Sequence, residues 1–355
     1  MMLDFLVNEM HLHAFSFNDL DQIVNMIDET NYELAVVHSL SSTGGKRLAN
    51  NFVCAALKAM LPKKMFAYGS FDYPENGGAF TPEKALEQIK NLMLCGFDGV
   101  KMLEGKPDTH KRIGVPLNSS YYEPSFCYME KENIPLVWHV GDPEEFWDEK
   151  LCPDWAKERG YDWIGGNYTP KEEIEREALD VAERHPNLKI IFAHWFFQSA
   201  SCEKSIELLE RYPNVSLDIV PGWEMYGNFT NDYDKFRNFF IKYSDRIYYG
   251  TDNLMVNWRE IISGVKRFLT TEDSFTAGEI GIVYSEPDMM IRGFNLPQET
   301  LKDIMRDNFL KVHQIPKELD VDRILAWAKH FGEENKNAPE LAAAIERIKD
   351  CSERS

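Results

Sequence analysis

Residues 4–13 read DFLVNEMHLH, an apolar run that ends in two histidines and precedes a longer stretch with helical periodicity. The same order of strand and then helix recurs along the chain. The predicted strands are eight such runs: residues 4–13, 33–38, 64–70, 99–103, 134–140, 188–194, 215–220 and 246–251. Such alternation is typical of parallel β/α architecture, and eight strands close a barrel. The sequence therefore predicts an α/β fold, a (β/α)8 TIM barrel.

An open doubly wound sheet is the competing fold. That fold normally has a glycine-rich turn after its first strand, whereas His13 is followed here by Ala14 and Phe15. Residues 43–47 (TGGKR) contain a glycine pair but lack the upstream glycine and the final Ser or Thr of a phosphate-binding loop. The sequence thus favours the barrel.

Two extensions explain why the chain, with 355 residues, is longer than a typical barrel of about 250 residues. Residues 142–169, after the fifth strand, are acidic and aromatic and too long for an ordinary connection, so we predict a lid. Residues 297–355 have helical periodicity, and we expect them to pack on the barrel exterior. No repeat or linker divides the chain, which predicts one domain spanning residues 1–355.

Helix starts are marked by capping residues. Thr81 precedes Pro82, and Thr169 precedes Pro170 with Glu172 at the third helical position. Each pair predicts a threonine N-cap followed by proline in the first turn.

Charge and composition exclude several classes of partner. Lys and Arg number 39 against 58 Asp and Glu, so the net charge is −19 without a compensating basic patch. Such a surface repels nucleic acids and anionic membranes, and a small-molecule substrate is expected instead. The six cysteines form no C-x-x-C pair, which favours a reducing compartment. With no signal peptide and no long apolar run, we expect a cytoplasmic protein.

His11 and His13 end the first strand two residues apart, so both side chains point to one face. In a barrel that face is the interior, where two imidazoles are costly to bury without a partner. A divalent metal would accept both while keeping them neutral. The alternative is a pair of hydrogen-bonded histidines at a loop mouth.

Three further polar residues end predicted strands. His139 ends the fifth strand, His194 ends the sixth, and Asp252 follows the eighth. Catalytic groups of β/α barrels cluster at the C-terminal ends of the strands, and closure brings the eighth strand beside the first. We therefore expect these residues to meet His11 and His13 at one rim.

With these motifs, the chain resembles the amidohydrolase superfamily, in particular the branch of aminocarboxymuconate-semialdehyde decarboxylase-like enzymes. The resemblance rests on His11-Leu12-His13, Gly99-Val100-Lys101, Trp138-His139-Val140-Gly141, Phe192-Ala193-His194 and Gly250-Thr251-Asp252. It implies one divalent metal held by His11, His13, His139 and Asp252, with His194 and Asp252 as catalytic residues. Zn²⁺ suits such ligands first, with Mn²⁺, Fe²⁺ or Co²⁺ as alternatives. A homodimer is also expected.

Lys101, Trp147 and Arg292 are candidate substrate-binding residues. Lys101 could orient substrate, pair with Glu104 or Glu9, or be carboxylated and bridge two metals as in binuclear amidohydrolases. Trp147 could form a wall over the substrate, or belong to a self-packed loop or a dimer contact. Arg292, like Arg259, could grip a carboxylate or form a surface salt bridge.

These residues favour a metal-dependent hydrolase, in which metal-activated water attacks a carbonyl-type carbon of an amide, ester or lactone. The closest alternative is a metal-dependent non-oxidative decarboxylase of a small carboxylic acid. A non-catalytic metal-binding or ligand-sensing barrel is the third hypothesis.

Overall fold

Eight parallel strands, each hydrogen-bonded to the next, form the centre of the molecule. They are β1 (Glu9–His13), β2 (Ala35–His38), β3 (Met65–Gly69), β4 (Gly99–Gly105), β5 (Leu136–Val140), β6 (Ile190–Phe192), β7 (Val215–Asp218) and β8 (Ile247–Tyr248). The structure, a computed structural model, describes residues 3–41, 49–73, 80–222, 224–252, 256–282, 286–334 and 339–354. The glycine pair at residues 43–47 lies outside these ranges.

Backbone hydrogen bonds bring the end of the strand series back to its start. Met10 N donates to Tyr249 O at 3.1 Å, and Asp252 N donates to His11 O at 2.9 Å. These bonds place the residues after β8 beside β1 and nearly close the barrel. The predicted (β/α)8 fold is confirmed.

Helices surround the strands. They are α1 (Leu20–Thr30), α2 (Asn50–Met60), α3 (Pro82–Leu94), α4 (Pro107–Ile113), α5 (Glu123–Lys131), α6 (Asp154–Glu158), α7 (Lys171–Arg184), α8 (Cys202–Arg211), α9 (Met225–Asn231), α10 (Tyr233–Lys242), α11 (Trp258–Thr270), α12 (Gln298–Lys302), α13 (Asn308–Val312), α14 (Val321–Glu334) and α15 (Pro339–Glu353). A π-helical turn, Asp303–Asp307, joins α12 to α13. Short 3₁₀ helices span Phe17–Asp19, Glu144–Trp147, Ala193–Phe197, Ser244–Arg246 and Gly278–Ile280.

The two predicted threonine caps have different outcomes. Thr81 caps α3 as expected, since its side chain accepts a hydrogen bond from Lys84 N and Pro82 is the first helical residue. The prediction for Thr169 is wrong: α7 begins at Lys171, and Pro170 is its N-cap. The Thr169 hydroxyl is hydrogen-bonded instead to His110 Nδ1 at 3.1 Å, so a tertiary contact replaces the local cap.

The lid segment, residues 142–169, has a small apolar core of its own. It contains the 3₁₀ turn Glu144–Trp147 and α6, which pack around Phe146, Cys152, Ala156 and Trp163. A segment stabilised by its own contacts can hold a fixed shape over the C-terminal mouth of the barrel.

The remaining extensions lie outside the strand ring. Phe52 of α2 contacts Trp327 and Phe331 of α14, with ring centroids 4.5 and 5.3 Å apart, and α15 also packs against α2. The C-terminal helices thus cover the barrel exterior as expected. An antiparallel hairpin that the sequence analysis missed, β9 (Ser274–Thr276) and β10 (Met290–Arg292), follows α11.

The period of two along the strands divides the barrel interior into an apolar floor and a polar mouth. On β5, for example, Val137 lies in the floor and His139, two residues later, lines the cavity at the mouth. On β2, Val36 lies in the floor and the ring of His38, two residues later, is 4.7 Å from that of His11. Phe309 of α13 also belongs to the floor. Polar side chains therefore accumulate at the C-terminal end of the barrel.

β6 ends in an unusual left-handed turn. His194, Trp195, Phe196 and Phe197 have φ angles of 53°, 57°, 56° and 50°. For residues with a Cβ atom, this conformation costs roughly 1–2 kcal/mol each, so other contacts must offset it.

Aromatic packing offsets the strain of this turn. Trp195 is fully buried and stacks on Phe240 with ring centroids 5.0 Å apart, while Phe196 stacks on Phe192 at 4.1 Å. Trp195 Nε1 also donates to Ser205 Oγ at 2.9 Å. These contacts fix the turn that carries His194.

We expect Trp195→Ala to lower the free energy of unfolding by about 3–5 kcal/mol, because it leaves a cavity and removes the stack that opposes backbone strain. Denaturant unfolding measures this loss. The control Ile315→Ala, at a side chain that is 82% exposed, should change stability by less than about 0.5 kcal/mol. Equal stability of the two variants would contradict the proposed packing role.

Candidate active site

A cavity of about 430 Å³ opens at the C-terminal mouth of the barrel. Its walls come from the strand ends and from the lid segment. The polar residues that line it are His13, Ser41, Lys101, Lys106, Asp108, His139, Asp142, His194, Thr251 and Asp252. The lid contributes Phe146, Trp155 and Tyr161. A space of this size accommodates a small molecule.

His11, His13 and Asp252, here named the His/His/Asp group, offer three ligand atoms within 4.8 Å of one another. The two Nε2 atoms of the histidines are 3.1 Å apart. His13 Nε2 lies 3.4 Å from Asp252 Oδ1. Nitrogen and carboxylate oxygen are ligands that divalent transition metals accept.

Hydrogen bonds at the other ring nitrogens fix how the two histidines face each other. His13 Nδ1 donates to the carbonyl oxygen of His38 at 2.9 Å, because a carbonyl can only accept. His11 Nδ1 lies 2.8 Å from the Asp218 carboxylate, which accepts in the same way. Burial lowers the pKa of His13 to about 3 and that of His11 well below its usual range, so both rings are neutral.

Two neutral rings with Nδ1–H groups carry lone pairs on Nε2. These lone pairs lie 3.1 Å apart, beside a carboxylate oxygen and, on the His11 side, beside Lys101 Nζ. A cation between them would turn this repulsion into coordination, and an Nδ1–H donated to an oxygen is the usual arrangement of a metal-binding histidine. The His/His/Asp group therefore fits a divalent metal.

Asp252 and His194 face each other at the edge of this group. His194 Nε2 is 3.9 Å from Asp252 Oδ2. Burial raises the pKa of Asp252 to about 7, against the opposing effect of Lys101. The carboxyl group therefore exchanges protons near neutral pH in the absence of a metal.

Asp218, which the sequence analysis missed, supports both sides of the site. Its Oδ2 accepts from His11 Nδ1, and its Oδ1 accepts from the backbone N–H of His194 at 2.8 Å. It is fully buried at the end of β7. His139 and His194 were predicted to lie in the site because each is a titratable residue at the C-terminal end of a strand. Asp218 ends β7 and could have been predicted in the same way.

His139 lies next to the His/His/Asp group but is not one of its three members. Its Nε2 is 3.3 Å from Asp142 Oδ1, and its ring centroid is 5.0 Å from that of His194. Burial lowers its pKa to about 4, so the ring is neutral. His139 is thus near enough to shape the cavity, while its Nε2 is engaged with Asp142.

Lys101 Nζ lies 3.1 Å from His11 Nε2, directly beside the His/His/Asp group. Burial lowers its pKa to about 8. The two carboxylates considered as partners have other contacts: Glu9 accepts from His11 N and Thr251, and Glu104 accepts from the Tyr73 hydroxyl.

Lys106 is a second cation in the cavity wall that the sequence analysis did not select. Its Nζ lies 3.0 and 2.9 Å from the two carboxylate oxygens of Asp142. The ammonium group is also 4.7 Å from the ring centroid of Tyr161 and 5.7 Å from that of Trp163, both in the lid segment. These contacts hold the lysine at the junction of barrel and lid.

Trp147 and Arg292 lie outside the cavity lining. Trp147 Nε1 donates to Thr169 O at 3.3 Å within the lid segment, whose cavity-facing rings are those of Phe146, Trp155 and Tyr161. Arg292, on β10, donates to Glu272 at 3.1 Å and lies over the Tyr233 ring. Arg259 likewise pairs with Glu29 on the surface. These positions do not support substrate contact by either arginine or by Trp147.

Several solved structures share this fold. An uncharacterised TIM-barrel protein from Bordetella bronchiseptica has 15% identity and a TM-score of 0.55, covering 87% of this chain and 98% of its own. A 2,6-dihydroxybenzoate decarboxylase bound to 2,6-dihydroxybenzoate has 16% identity and a TM-score of 0.52, with 86% and 98% covered. A 4-oxalomesaconate hydratase from Rhodopseudomonas palustris has 13% identity and a TM-score of 0.51, with 92% and 99% covered.

At these identities the likeness shows a common fold. No curated protein has a significant match to the chain. The family model Amidohydro_2, described as amidohydrolase, matches residues 57–312. That match spans more than half of the chain and includes Lys101, His139, His194 and Asp252, whereas His11 and His13 precede it. The chain therefore belongs to the Amidohydro_2 family of amidohydrolases.

Proposed function

We propose that the protein is a metal-dependent hydrolase that cleaves an amide, ester or lactone bond of a small molecule. The observation that carries this proposal is the pair of facing Nε2 lone pairs on His11 and His13 beside Asp252. We propose Zn²⁺ as the metal, because neutral imidazoles and a carboxylate suit it first. His139 would join as a fourth ligand if its ring left Asp142.

A bound divalent metal would supply Lewis acidity and lower the pKa of a coordinated water to about 7. The chain's own residues would hold and move the protons. Asp252 Oδ2 faces His194 Nε2 at 3.9 Å and would accept the proton of the attacking water. His194 would donate a hydrogen bond to the oxygen on which negative charge develops. Asp218 keeps His194 in position through the backbone N–H.

We assign substrate binding to Lys101 and Lys106. Both line the cavity, and they supply local positive charge in a protein with a net charge of −19. An anionic substituent on the substrate would find these cations after entering the mouth. The aromatic side chains of the lid segment would cover its apolar part.

A non-oxidative decarboxylase is the second candidate, and the same two lysines favour it. Decarboxylation requires a cation that holds the carboxylate and an acid that protonates the departing carbon. Lys106 could hold the carboxylate, and His194 or Asp252 could supply the proton. Incorporation of ¹⁸O from labelled water into product indicates hydrolysis, whereas release of CO₂ without such incorporation indicates decarboxylation.

Location and assembly are proposed on more general grounds. The six cysteines are free thiols, which supports the expected cytoplasmic location. No helix among the described residues is long and apolar enough to cross a membrane. The homodimer stays a prediction.

Metal content tests the proposal directly. We expect chelation to abolish turnover and a divalent metal to restore it, since in the proposed mechanism the metal lowers the pKa of the attacking water. In His11→Ala, metal bound at this group should fall close to zero. The difference in metal content between the wild type and His11→Ala, measured by elemental analysis, gives the stoichiometry at this group. One ion per chain supports the proposal, two would favour a carboxylated Lys101 bridge, and full activity without metal would refute it.

Asp218→Asn should weaken metal binding by about 10–100-fold, the usual effect of removing a carboxylate behind a metal-binding histidine. An amide has one accepting oxygen, so it cannot accept from both His11 Nδ1 and His194 N. A metal titration with a competing chelator measures the change. The exposed Asp234→Asn is the matched control and should bind metal as the wild type does. Unchanged affinity in Asp218→Asn would refute this role of Asp218.

Lys106→Met should raise KM for an anionic substrate by about 10-fold or more, because one charged hydrogen bond contributes roughly 1.5–3 kcal/mol. A panel of esters, lactones, amides and carboxylated aromatics, assayed with matched neutral analogues, measures this preference. Lys150→Met alters an exposed lysine of the lid segment and should leave KM unchanged. A similar KM for acid and neutral analogue in both proteins would exclude Lys106 as the anion contact.

A further inference from the structure

A second cluster of metal-ligand residues lies on the outer wall of the barrel, on helices that do not line the cavity. Glu123 and Cys127 are four residues apart on α5 and therefore lie on one helix face. His185 follows the last residue of α7, at the end of the barrel opposite the mouth. The three side chains offer ligand atoms within 4.8 Å of one another.

The separations suit tetrahedral coordination. Glu123 Oε1 lies 3.2 Å from His185 Nε2 and 3.8 Å from Cys127 Sγ. With Zn–N and Zn–O bonds of about 2.0 Å and a Zn–S bond of about 2.3 Å, tetrahedral geometry requires about 3.3 and 3.5 Å. The glutamate–histidine separation matches this geometry, and the sulfur lies a few tenths of an ångström farther from Glu123 Oε1 than it requires.

His185 is oriented as a metal-binding histidine would be. Its Nδ1 lies 3.0 Å from Glu130 Oε2, and the other oxygen of Glu130 accepts from Asn187 N at 2.9 Å. The carboxylate therefore accepts from Nδ1–H, and in that tautomer the lone pair of the ring lies on Nε2. Such a carboxylate–histidine pair typically stands behind a metal ligand.

The Nε2 atom of His185 has no satisfactory hydrogen bond. The side chain is more than nine-tenths buried. Glu123 Oε1 is 3.2 Å from Nε2, but the two atoms do not form a hydrogen bond. Nε2 is therefore a buried ring nitrogen that faces a carboxylate oxygen without a hydrogen bond to satisfy it. Arg184 binds the other oxygen of Glu123, which keeps Oε1 directed at the cluster.

We propose that Glu123, Cys127 and His185 form a second metal site that takes Zn²⁺, with water as the fourth ligand. Glu130 is its positioning residue. Binding breaks the Cys127 S–H bond, forms a sulfur–metal bond and releases the proton to solvent. The ion would tie α5 to the end of α7 and so brace the barrel wall beneath β5 and β6.

Co²⁺ distinguishes this site from the His/His/Asp group. Thiolate ligands give Co²⁺ an intense charge-transfer absorption in the near ultraviolet, whereas the His/His/Asp group has only nitrogen and oxygen ligands. Titration of the purified full chain with Co²⁺ should produce this absorption with saturation at one thiolate-bound ion per chain. Its absence at saturating Co²⁺ would overturn the proposal.

Three variants complete the test. Cys127→Ser should abolish the absorption, and this exposed residue can change without loss of the fold, which circular dichroism verifies. Cys351→Ser, at a half-buried cysteine of α15, is the matched control and should retain it. Glu130→Gln should weaken Co²⁺ binding at the thiolate site by about 10–100-fold. Absorption that persists in Cys127→Ser, or unchanged affinity in Glu130→Gln, would refute the assignment.

Discussion

The carboxylate of Asp218 is the contact on which the geometry of the cavity depends. It is buried at the end of β7, where it accepts from the imidazole of His11 on β1 and from the backbone of His194 after β6. A buried carboxylate is tolerated only when several donors satisfy it, so this group constrains three strands at once. The tautomer of His11, and hence the direction of its free lone pair, follows from the same contact.

The site combines local strain with local charge. The left-handed turn after β6 is held by the stacking of Trp195 and Phe196, which keeps His194 near Asp252 despite an unfavourable backbone. Lys101 and Lys106 introduce positive charge into a strongly acidic protein at the cavity in the mouth of the barrel. The strained turn and the two lysines thus both act on the cavity at the mouth of the barrel.

The fold and the strand-end histidines could be predicted because their signals are local. Alternation of apolar runs with helical periods specifies β/α units, and the period of two assigns His11 and His13 to the interior face of β1. A titratable residue at the end of a strand is also a local signal. It predicted that His194 and Asp252 lie at the mouth, and the same signal would have predicted Asp218. The outcome for Thr169 marks the limit of this reasoning, since a contact with His110 replaced its predicted cap.

What the sequence by itself determined is therefore the order of the strands and which side chains point towards the mouth. Only the tertiary structure decided which of these residues touch: His11 with Asp218, His139 with Asp142, and Lys106 with the lid segment. It also brought His185 to Cys127, on a helix earlier in the chain. The physical reason is that side-chain periodicity is a property of neighbouring residues, whereas these pairings depend on barrel closure and helix packing between segments far apart in the chain.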